Sequence, residues 1–186
     1  MEDSEVLFAG FGGQGMLLAG KVLAQAAMHE GMEVSWLPSY GPEMRGGTAN
    51  VMVCFSSKPI GSPLISSPRA LLVMNLPSLE KFSPNVKPGG VIIINQSMID
   101  RSAERDDCTE VKVSARELAK EAGSERSANF VMLGAYIGAT EAIPVKAIEW
   151  AIDHEFSGRK AKFATLNLSA FQAGLAIGQQ TATVRS

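Results

Sequence analysis

The chain has 186 residues, with 17 Lys and Arg against 19 Asp and Glu, so its formal net charge is −2. This length suits one ordinary domain, and 46% hydrophobic with 19% charged residues excludes a disordered chain. The near-neutral charge balance argues against a nucleic-acid-binding protein and against an anionic membrane as a partner. No apolar run approaches the roughly 20 residues that span a bilayer.

Cysteine usage and the start of the chain predict a cytoplasmic location. Cys54 and Cys108 lie far apart and form no Cys-x-x-Cys, so the sequence predicts free thiols, as in a reducing compartment. The acidic first residues do not resemble the basic start of a signal peptide.

The first 40 residues have the pattern of a strand, a glycine-rich turn, a helix and a second strand. Residues 6–9 are a short apolar run typical of a buried strand, and apolar residues recur at helical spacing over residues 16–27. Gly31 suits a helix C-terminus, and a second strand over residues 33–37 is expected to stop at Pro38. This order is typical of the opening of a doubly wound domain.

The rest of the chain alternates apolar runs with turn-formers and becomes helical toward its end. Strands are predicted over residues 48–55, 70–74 and 91–94, and helices from 75, over 114–122 (with capping-box spacing at Ser114), 128–138, 144–154 and 166–178, with a frayed tail after 179. The expected fold class is α/β: a doubly wound, Rossmann-like, mostly parallel sheet with helices on both faces and a helical C-terminal third. One domain over residues 1–186 is the simplest organisation.

The glycine-rich turn is the first candidate site. Gly10, Gly12 and Gly15 follow a predicted strand and precede a predicted helix, which is where such glycines cradle a phosphate at a helix N-terminus. Gln14 adds a side-chain amide. A NAD site also needs a carboxylate at the end of the second strand, and residues 35–40 contain none. A phosphate cradle and a tight crossover without nucleotide both remain open.

The second candidate site is the turn-like segment of residues 39–48, just beyond the second predicted strand. Arg45 could form a two-pronged contact with a carboxylate or phosphate, or Glu43 could pair with it inside an ordered turn. In open α/β sheets, ligands meet the protein at this edge. The two glycine-rich segments together form the best site candidate.

Machinery for chemistry is not evident elsewhere in the sequence. His29 and His154 are expected at the surface, and Asn129 is expected to cap its helix. Phe163 and Phe171 are expected in the core. Neither a Gly-x-Ser-x-Gly nor a Gly-x-x-x-x-Gly-Lys-Ser/Thr motif occurs.

Four segments, taken together, resemble the gamma subunit of 2-oxoacid:ferredoxin oxidoreductases. In chain order they are Gly10-Phe11-Gly12-Gly13-Gln14-Gly15, Ser39-Tyr40-Gly41-Pro42-Glu43-Met44-Arg45-Gly46-Gly47, Met74-Asn75-x-Pro77-Ser78 and Asn129-x-x-x-Leu133-Gly134-Ala135. The resemblance implies a complex that oxidatively decarboxylates a 2-oxoacid with coenzyme A, giving acyl-CoA, CO₂ and reduced ferredoxin. The second segment is most similar to the 2-oxoglutarate type, with the branched-chain type next.

The resemblance also implies a division of labour among subunits. Thiamine diphosphate and iron–sulfur clusters would be held by alpha, beta and ferredoxin-like delta subunits, and this chain would hold no cofactor and be inactive alone. Its expected contacts with partners or coenzyme A are Gly10, Gly12, Gly13, Gln14, Gly15, Ser39, Tyr40, Gly41, Pro42, Glu43, Arg45 and Gly46. The isolated chain is expected to self-associate through its partner-binding surface. The alternatives are a free-standing nucleotide-binding Rossmann protein and a scaffold that never meets substrate.

Overall fold

The computed structural model describes residues 3–41 and 48–183 and contains a six-stranded sheet. Its strands are β1 Ser4–Phe11, β2 Glu33–Tyr40, β3 Thr48–Ser56, β4 Ala70–Val73, β5 Val91–Asn95 and β6 Thr109–Val113. Across the sheet they lie in the order β2-β3-β1-β4-β5-β6. The α-helices are α1 Met16–His29, α2 Leu76–Phe82, α3 Ala115–Glu121, α4 Ala128–Thr140, α5 Val145–Glu155 and α6 Ala161–Thr183. The expected α/β class and mostly parallel sheet are confirmed.

One strand breaks the parallel order. β1, β4, β5 and β6 pair in parallel, whereas β3 lies between β1 and β2 and is antiparallel to both. The first and second strands therefore run in the same direction without touching. The carboxyl ends of β1 and β2 and the start of β3 lie at the same edge of the sheet.

The second strand does not stop at Pro38, as the sequence suggested, but continues to Tyr40. β2 is an edge strand, so the N–H that proline lacks is not required by a neighbour on the outer side. The sequence reading also missed β6, a five-residue strand at the opposite edge of the sheet.

The two faces of the sheet are covered unequally. Phe8, Val53 and Leu72 belong to a large core shared with residues of α1, α3, α4, α5 and α6. Leu71 and Ile92 point to the other face, where a smaller core includes residues from α2 and the loops around it. Helices on both faces are thus confirmed, with most of the helical mass on one side.

Four glycines bring α4 and α6 into backbone contact. A Cβ on Gly134 would lie 2.0 Å from the carbonyl oxygen of Phe171, and one on Gly174 would lie 1.9 Å from that of Val131. Gly138 and Gly178 repeat this reciprocal arrangement one turn further along. Side chains larger than hydrogen at these positions would push the helices apart, so the sequence Gly-x-x-x-Gly in each helix sets their separation.

The fifth helix is attached to the first by polar and aromatic contacts. The Lys21 ammonium lies 2.8 Å from the Glu155 carboxylate, and Trp150 stacks on His29 with ring centroids 3.9 Å apart. His154 also stacks on Trp150, at 5.0 Å. Both histidines lie at the surface, as expected, although their shared contact with one tryptophan was not predicted.

Three local expectations are wrong. Ser114 makes no side-chain cap; the Arg116 N–H of α3 instead donates to the Ser97 hydroxyl at 3.1 Å. Phe163 is 42% exposed near the start of α6, whereas Phe171, on the same helix, is buried as expected. The last helix continues past residue 179 to Thr183, so the polar end is helical within the described residues.

Replacing Gly134 or Gly174 with alanine should destabilise the fold. Helix propensity favours alanine over glycine by about 1 kcal/mol, yet the new methyl group would overlap a backbone oxygen that cannot rotate away. We expect a net loss of about 2–4 kcal/mol in the free energy of unfolding, measured by urea denaturation followed by circular dichroism. Gly61→Ala is the control, because no heavy atom lies within 4 Å of a Cβ there. Equal stability of Gly134→Ala and Gly61→Ala would contradict the close approach.

Tyr136 should make stability fall at alkaline pH. Burial raises the pKa of Tyr136 from 10.0 to about 12, because the phenolate would be desolvated. Its contribution is fully present below pH 10 and is lost as pH rises toward 12, amounting to about 2–3 kcal/mol. Denaturation curves across this range should show that Tyr136→Phe removes much of the alkaline loss. Tyr40→Phe, which alters an exposed tyrosine, should retain it.

Within the described residues, no helix combines the length and apolar character needed to cross a membrane.

Candidate functional site

The glycine-rich turn joins the end of β1 to the start of α1. Gly13 has φ of 97° and Gly15 has φ of 76°, a left-handed conformation in which other residues are strained. No heavy atom lies within 4 Å of a Cβ built on Gly13, so this corner of the turn faces open space. The first turn of α1 begins here, where backbone N–H groups lack helical partners and favour negative charge.

Gln14 fills the inside of this turn with its own side chain. Its Oε1 accepts a hydrogen bond from Phe11 N at 2.6 Å and one from Asn75 Nδ2 at 3.4 Å, and its Nε2 donates to Met74 O at 3.5 Å. A Cβ on Gly10 would lie 2.6 Å from that Oε1, so Gly10 leaves room for the amide. The amide ties the β1–α1 turn to the end of β4.

Asn75 and Asn129 brace the turn from the starts of two other helices. Asn75 caps α2 by accepting from Ser78 N at 2.9 Å while donating to Gln14. Asn129, in the first turn of α4, donates from Nδ2 to Gly15 O at 2.9 Å instead of capping its own helix. Each of the two asparagines is 2% exposed. The helix N-termini of α1, α2 and α4 therefore lie close together at this edge.

Sequence reasoning did not assign Asn75 and Asn129 to the site. Both belong to the segments that carry the family resemblance, and that was the only signal available. The hydrogen bonds that join them to the turn span 61 and 114 positions of sequence, so local pattern cannot reveal them.

The second glycine-rich segment begins and ends at the same edge. Phe11 pairs with Thr48 in the β1–β3 ladder, Tyr40 pairs with Ala49, and Gly41 N donates to Thr48 O at 2.8 Å. Ser39 and Tyr40 are exposed residues of β2, and Gly41 is half-buried. The remaining candidates lie outside the described residues: Pro42, Glu43, Arg45 and Gly46.

The geometry is unlike that of a dinucleotide site. In that fold the ribose carboxylate lies at the end of a strand directly beside the first. Here β3 separates β1 from β2, which puts the end of β2 about 10 Å from β1. That end carries Ser39 and Tyr40 rather than a carboxylate, and Gln14 occupies the inside of the turn. The free-standing nucleotide-binding protein is therefore not favoured.

Two grooves of about 730 Å³ each lie at the other end of the strands, where β1, β4 and β5 begin. They share Asp3, Ser4, Arg69 and Lys87. Three of the charged side chains that line them are engaged within the chain: Lys87 pairs with Glu5, and the Asp3 carboxylate accepts from Ser57 N at 2.8 Å. We call the end of the sheet that carries the glycine-rich turn of residues 10–15, Gly41 and the N-termini of α1, α2 and α4 the glycine edge. Despite their size, the two grooves lack the convergent helix N-termini found there. Across residues 3–41 and 48–183, no group of three or more His, Cys, Asp or Glu side chains is arranged to hold a metal ion.

The fold and the braced turn define a Rossmann-like α/β protein in which the N-termini of three helices meet beside the exposed corner at Gly13. Within that class, the chain belongs to the pyruvate ferredoxin/flavodoxin oxidoreductase family, whose family model matches residues 5–177.

Similar proteins are subunits of such oxidoreductases. The chain is 42% identical over 174 residues to ketoisovalerate oxidoreductase subunit VorA of Methanothermobacter marburgensis, covering 92% of this chain but 36% of VorA. It is 36% identical over 178 residues to 2-oxoglutarate synthase subunit KorC of the same organism, covering 91% of this chain and 94% of KorC. The gamma subunit of a keto/oxoacid ferredoxin oxidoreductase from Geobacter sulfurreducens superposes with a TM-score of 0.81 at 31% identity, covering 95% of this chain and 99% of that one.

Removing the Gln14 amide should loosen the turn. Gln14→Ala leaves Phe11 N–H and the Asn75 amide without their acceptor, so we expect a loss of about 1–2 kcal/mol in the free energy of unfolding. Gln172→Ala is the matched control, because that amide contacts Glu149 at the surface and should change stability by less than about 0.5 kcal/mol. Equal urea midpoints for the two variants would show that Gln14 does not brace the turn.

Proposed function

We propose that this chain is the gamma component of a thiamine-diphosphate-dependent 2-oxoacid:ferredoxin oxidoreductase. The observation that carries the proposal is correspondence over nearly the full length of two single subunits, covering 94% of KorC and 99% of the Geobacter gamma subunit. The chain would act as a single Rossmann-like unit over residues 1–186. In the reaction, the 2-oxoacid loses CO₂, two electrons pass to ferredoxin, and the acyl group is transferred to the thiol of coenzyme A.

The chemistry would take place on other subunits. Alpha and beta subunits would carry thiamine diphosphate, and a ferredoxin-like delta subunit would carry iron–sulfur clusters. This chain would supply an assembly surface and contacts to coenzyme A. The exposed Gly13 corner and the N-terminus of α1 support a role in receiving a negatively charged group of the coenzyme.

Residues of both glycine-rich segments would form that contact surface. Gly10 and Gly15 would shape the turn, with Gln14 bracing it from inside. Ser39 and Tyr40 are exposed at the same edge, and Arg45 offers a guanidinium suited to phosphate. The remaining members of the proposed set are Gly12, Gly13, Gly41, Pro42, Glu43 and Gly46.

The proposed substrate is 2-oxoglutarate, from the resemblance of the segment from Ser39 to Gly47. The full-length similarity to KorC, a 2-oxoglutarate synthase subunit, supports it. The 42% identity to VorA, a ketoisovalerate oxidoreductase subunit, favours a branched-chain 2-oxoacid as the second candidate. The substrate pocket would lie on partner subunits, so the choice depends on the complex.

The complex isolated from its own cells tests the function directly. Native mass spectrometry should give masses of thiamine-binding and ferredoxin-like chains together with this chain. The complex should reduce ferredoxin or methyl viologen when 2-oxoglutarate and coenzyme A are added, and the isolated chain should not. Faster reduction with 2-oxoisovalerate would assign the branched-chain substrate instead. A chain purified without such partners, with saturable NAD binding, would overturn the proposal.

Arg45→Ala should raise the KM for coenzyme A in the assembled enzyme. Loss of a charge-assisted contact to a phosphate is worth about 1.5–3 kcal/mol, so an increase of about tenfold or more is expected with little change in the KM for the 2-oxoacid. Arg101→Ala is the control, since Arg101 pairs with Glu80 on an exposed surface. An unchanged KM in both variants would exclude Arg45 from the coenzyme site.

A further inference from the structure

The outer strand of the sheet exposes two aromatic side chains on one face. Trp36 and Tyr40 are 39% and 67% exposed, and Pro38 lies between them on the same face, since alternate residues of a strand point the same way. We call Trp36, Pro38 and Tyr40 the β2 stripe. The other large apolar side chains exposed among the described residues are Met28, Leu64, Met98, Trp150 and Phe163, and none shares a strand with another.

The register shows which face the stripe occupies. Trp36 pairs with Val53, Pro38 with Val51 and Tyr40 with Ala49, all three of which are buried. This is the face that α1 covers, and α1 packs on both β3 and β2. The stripe therefore extends the helix-covered core outward, beyond the cover that α1 provides, and ends at the glycine edge.

The stripe is uncharged, and it lies on an edge strand that is poorly suited to pairing with a further strand. From Val34 to Tyr40 the strand carries no charged side chain. Pro38 has no N–H, and in an edge strand that position faces outward, so a strand added there would lose a hydrogen bond at its centre. A partner would therefore meet the aromatic side chains rather than extend the sheet. Trp and Tyr are also the residues that most often dominate binding energy at interfaces.

The similar proteins indicate the occupant. In VorA the matching region is 36% of a longer polypeptide, so the equivalent of this chain is covalently joined there to a larger remainder. KorC and the Geobacter subunit are matched over 94% and 99% of their own length, so they lack most of that extra length. A counterpart of the remainder would there be a separate chain, held by non-covalent contacts. An uncharged aromatic surface beside the glycine edge suits an association of this kind.

We propose that the β2 stripe docks the subunit equivalent to the remainder of the VorA chain, with Trp36 and Tyr40 as the anchoring side chains. The inference rests on the proposed function, because it requires an oxidoreductase complex. It goes further by assigning the contact to one strand and two residues. The glycine edge would then face the same partner, since Tyr40 lies next to Gly41 and its pairing with Thr48.

Hydroxyl-radical footprinting of the intact complex and of the isolated chain tests the docking surface without any substitution. Trp36 and Tyr40 should be oxidised several-fold more slowly in the complex, whereas Phe163, 42% exposed on α6, should react equally in both. Equal oxidation of Trp36 and Tyr40 in an active complex would overturn the docking surface and leave the proposed function standing. Failure to recover any thiamine-dependent complex would overturn both.

Substitution provides the second measurement. A tagged chain that carries both Trp36→Ser and Tyr40→Ser should recover at least about tenfold less of the partner subunit than the tagged wild-type chain at matched concentrations. This is the loss expected for two anchoring aromatic side chains. Phe163→Ser is the matched control and should recover wild-type amounts. Tyr40→Asp, which alters only a 67% exposed side chain, provides a variant whose folding is not at risk. Undiminished recovery with both stripe variants would contradict the proposal.

A second copy of the chain is the competing occupant. Sedimentation of the isolated wild-type chain and of Trp36→Ser/Tyr40→Ser distinguishes the two cases. A dimer that the substitutions convert to monomer, with partner recovery unchanged, would assign the stripe to self-association and overturn the proposal. A wild-type chain whose partner binding is lost in the variant supports it.

Discussion

The close contact between α4 and α6 is the constraint on which the rest of the structure depends. Glycines in both helices allow backbone to touch backbone, so α6 covers α4 without intervening side chains. The eleven residues from Ala128 to Gly138 are all buried as a result. A helix buried on every side has little freedom to rotate, so its first turn is fixed relative to the sheet. That turn holds Asn129 against Gly15 O, at the candidate site.

The glycine-rich turn is filled from the inside by its own side chain. Like phosphate-binding turns, it has glycines at positive φ and a helix directly after it. The inside of the turn is nevertheless occupied by Gln14, whose amide is bound to β1 and to the end of β4. Only the outer corner at Gly13 is open. A ligand or partner would therefore meet a rigid, preformed outer surface of the turn.

The antiparallel strand β3 changes what the carboxyl edge can do. Inserted between β1 and β2, it brings Thr48 beside Phe11 and separates the end of β2 from the glycine turn by one strand. It also places β2 one strand further out from β1, so Trp36 and Tyr40 lie at the border of the helix-covered face. The loss of a dinucleotide geometry and the outward position of the aromatic stripe both follow from this insertion.

The sequence alone determined the fold class, most element positions and the family. These features depend on local patterns, which can be recognised in the sequence without knowing the tertiary structure. The patterns are apolar runs of strand length, glycines after the first strand and helical periodicity in the last third. Even so, the sequence wrongly predicts a strand end at Pro38. A proline is excluded from a central strand but tolerated in an edge strand, and which strand lies at the edge is a property of the whole sheet. The roles of Asn75 and Asn129 were likewise decided only by tertiary structure, since their bonds to the turn join residues far apart in the chain. Ser114 has the spacing of a cap, but a hydroxyl from a neighbouring loop took its place. The local sequence shows which hydrogen bonds a side chain is able to make. The partner that it finds depends on the tertiary structure, because the packed core brings distant segments within hydrogen-bond distance.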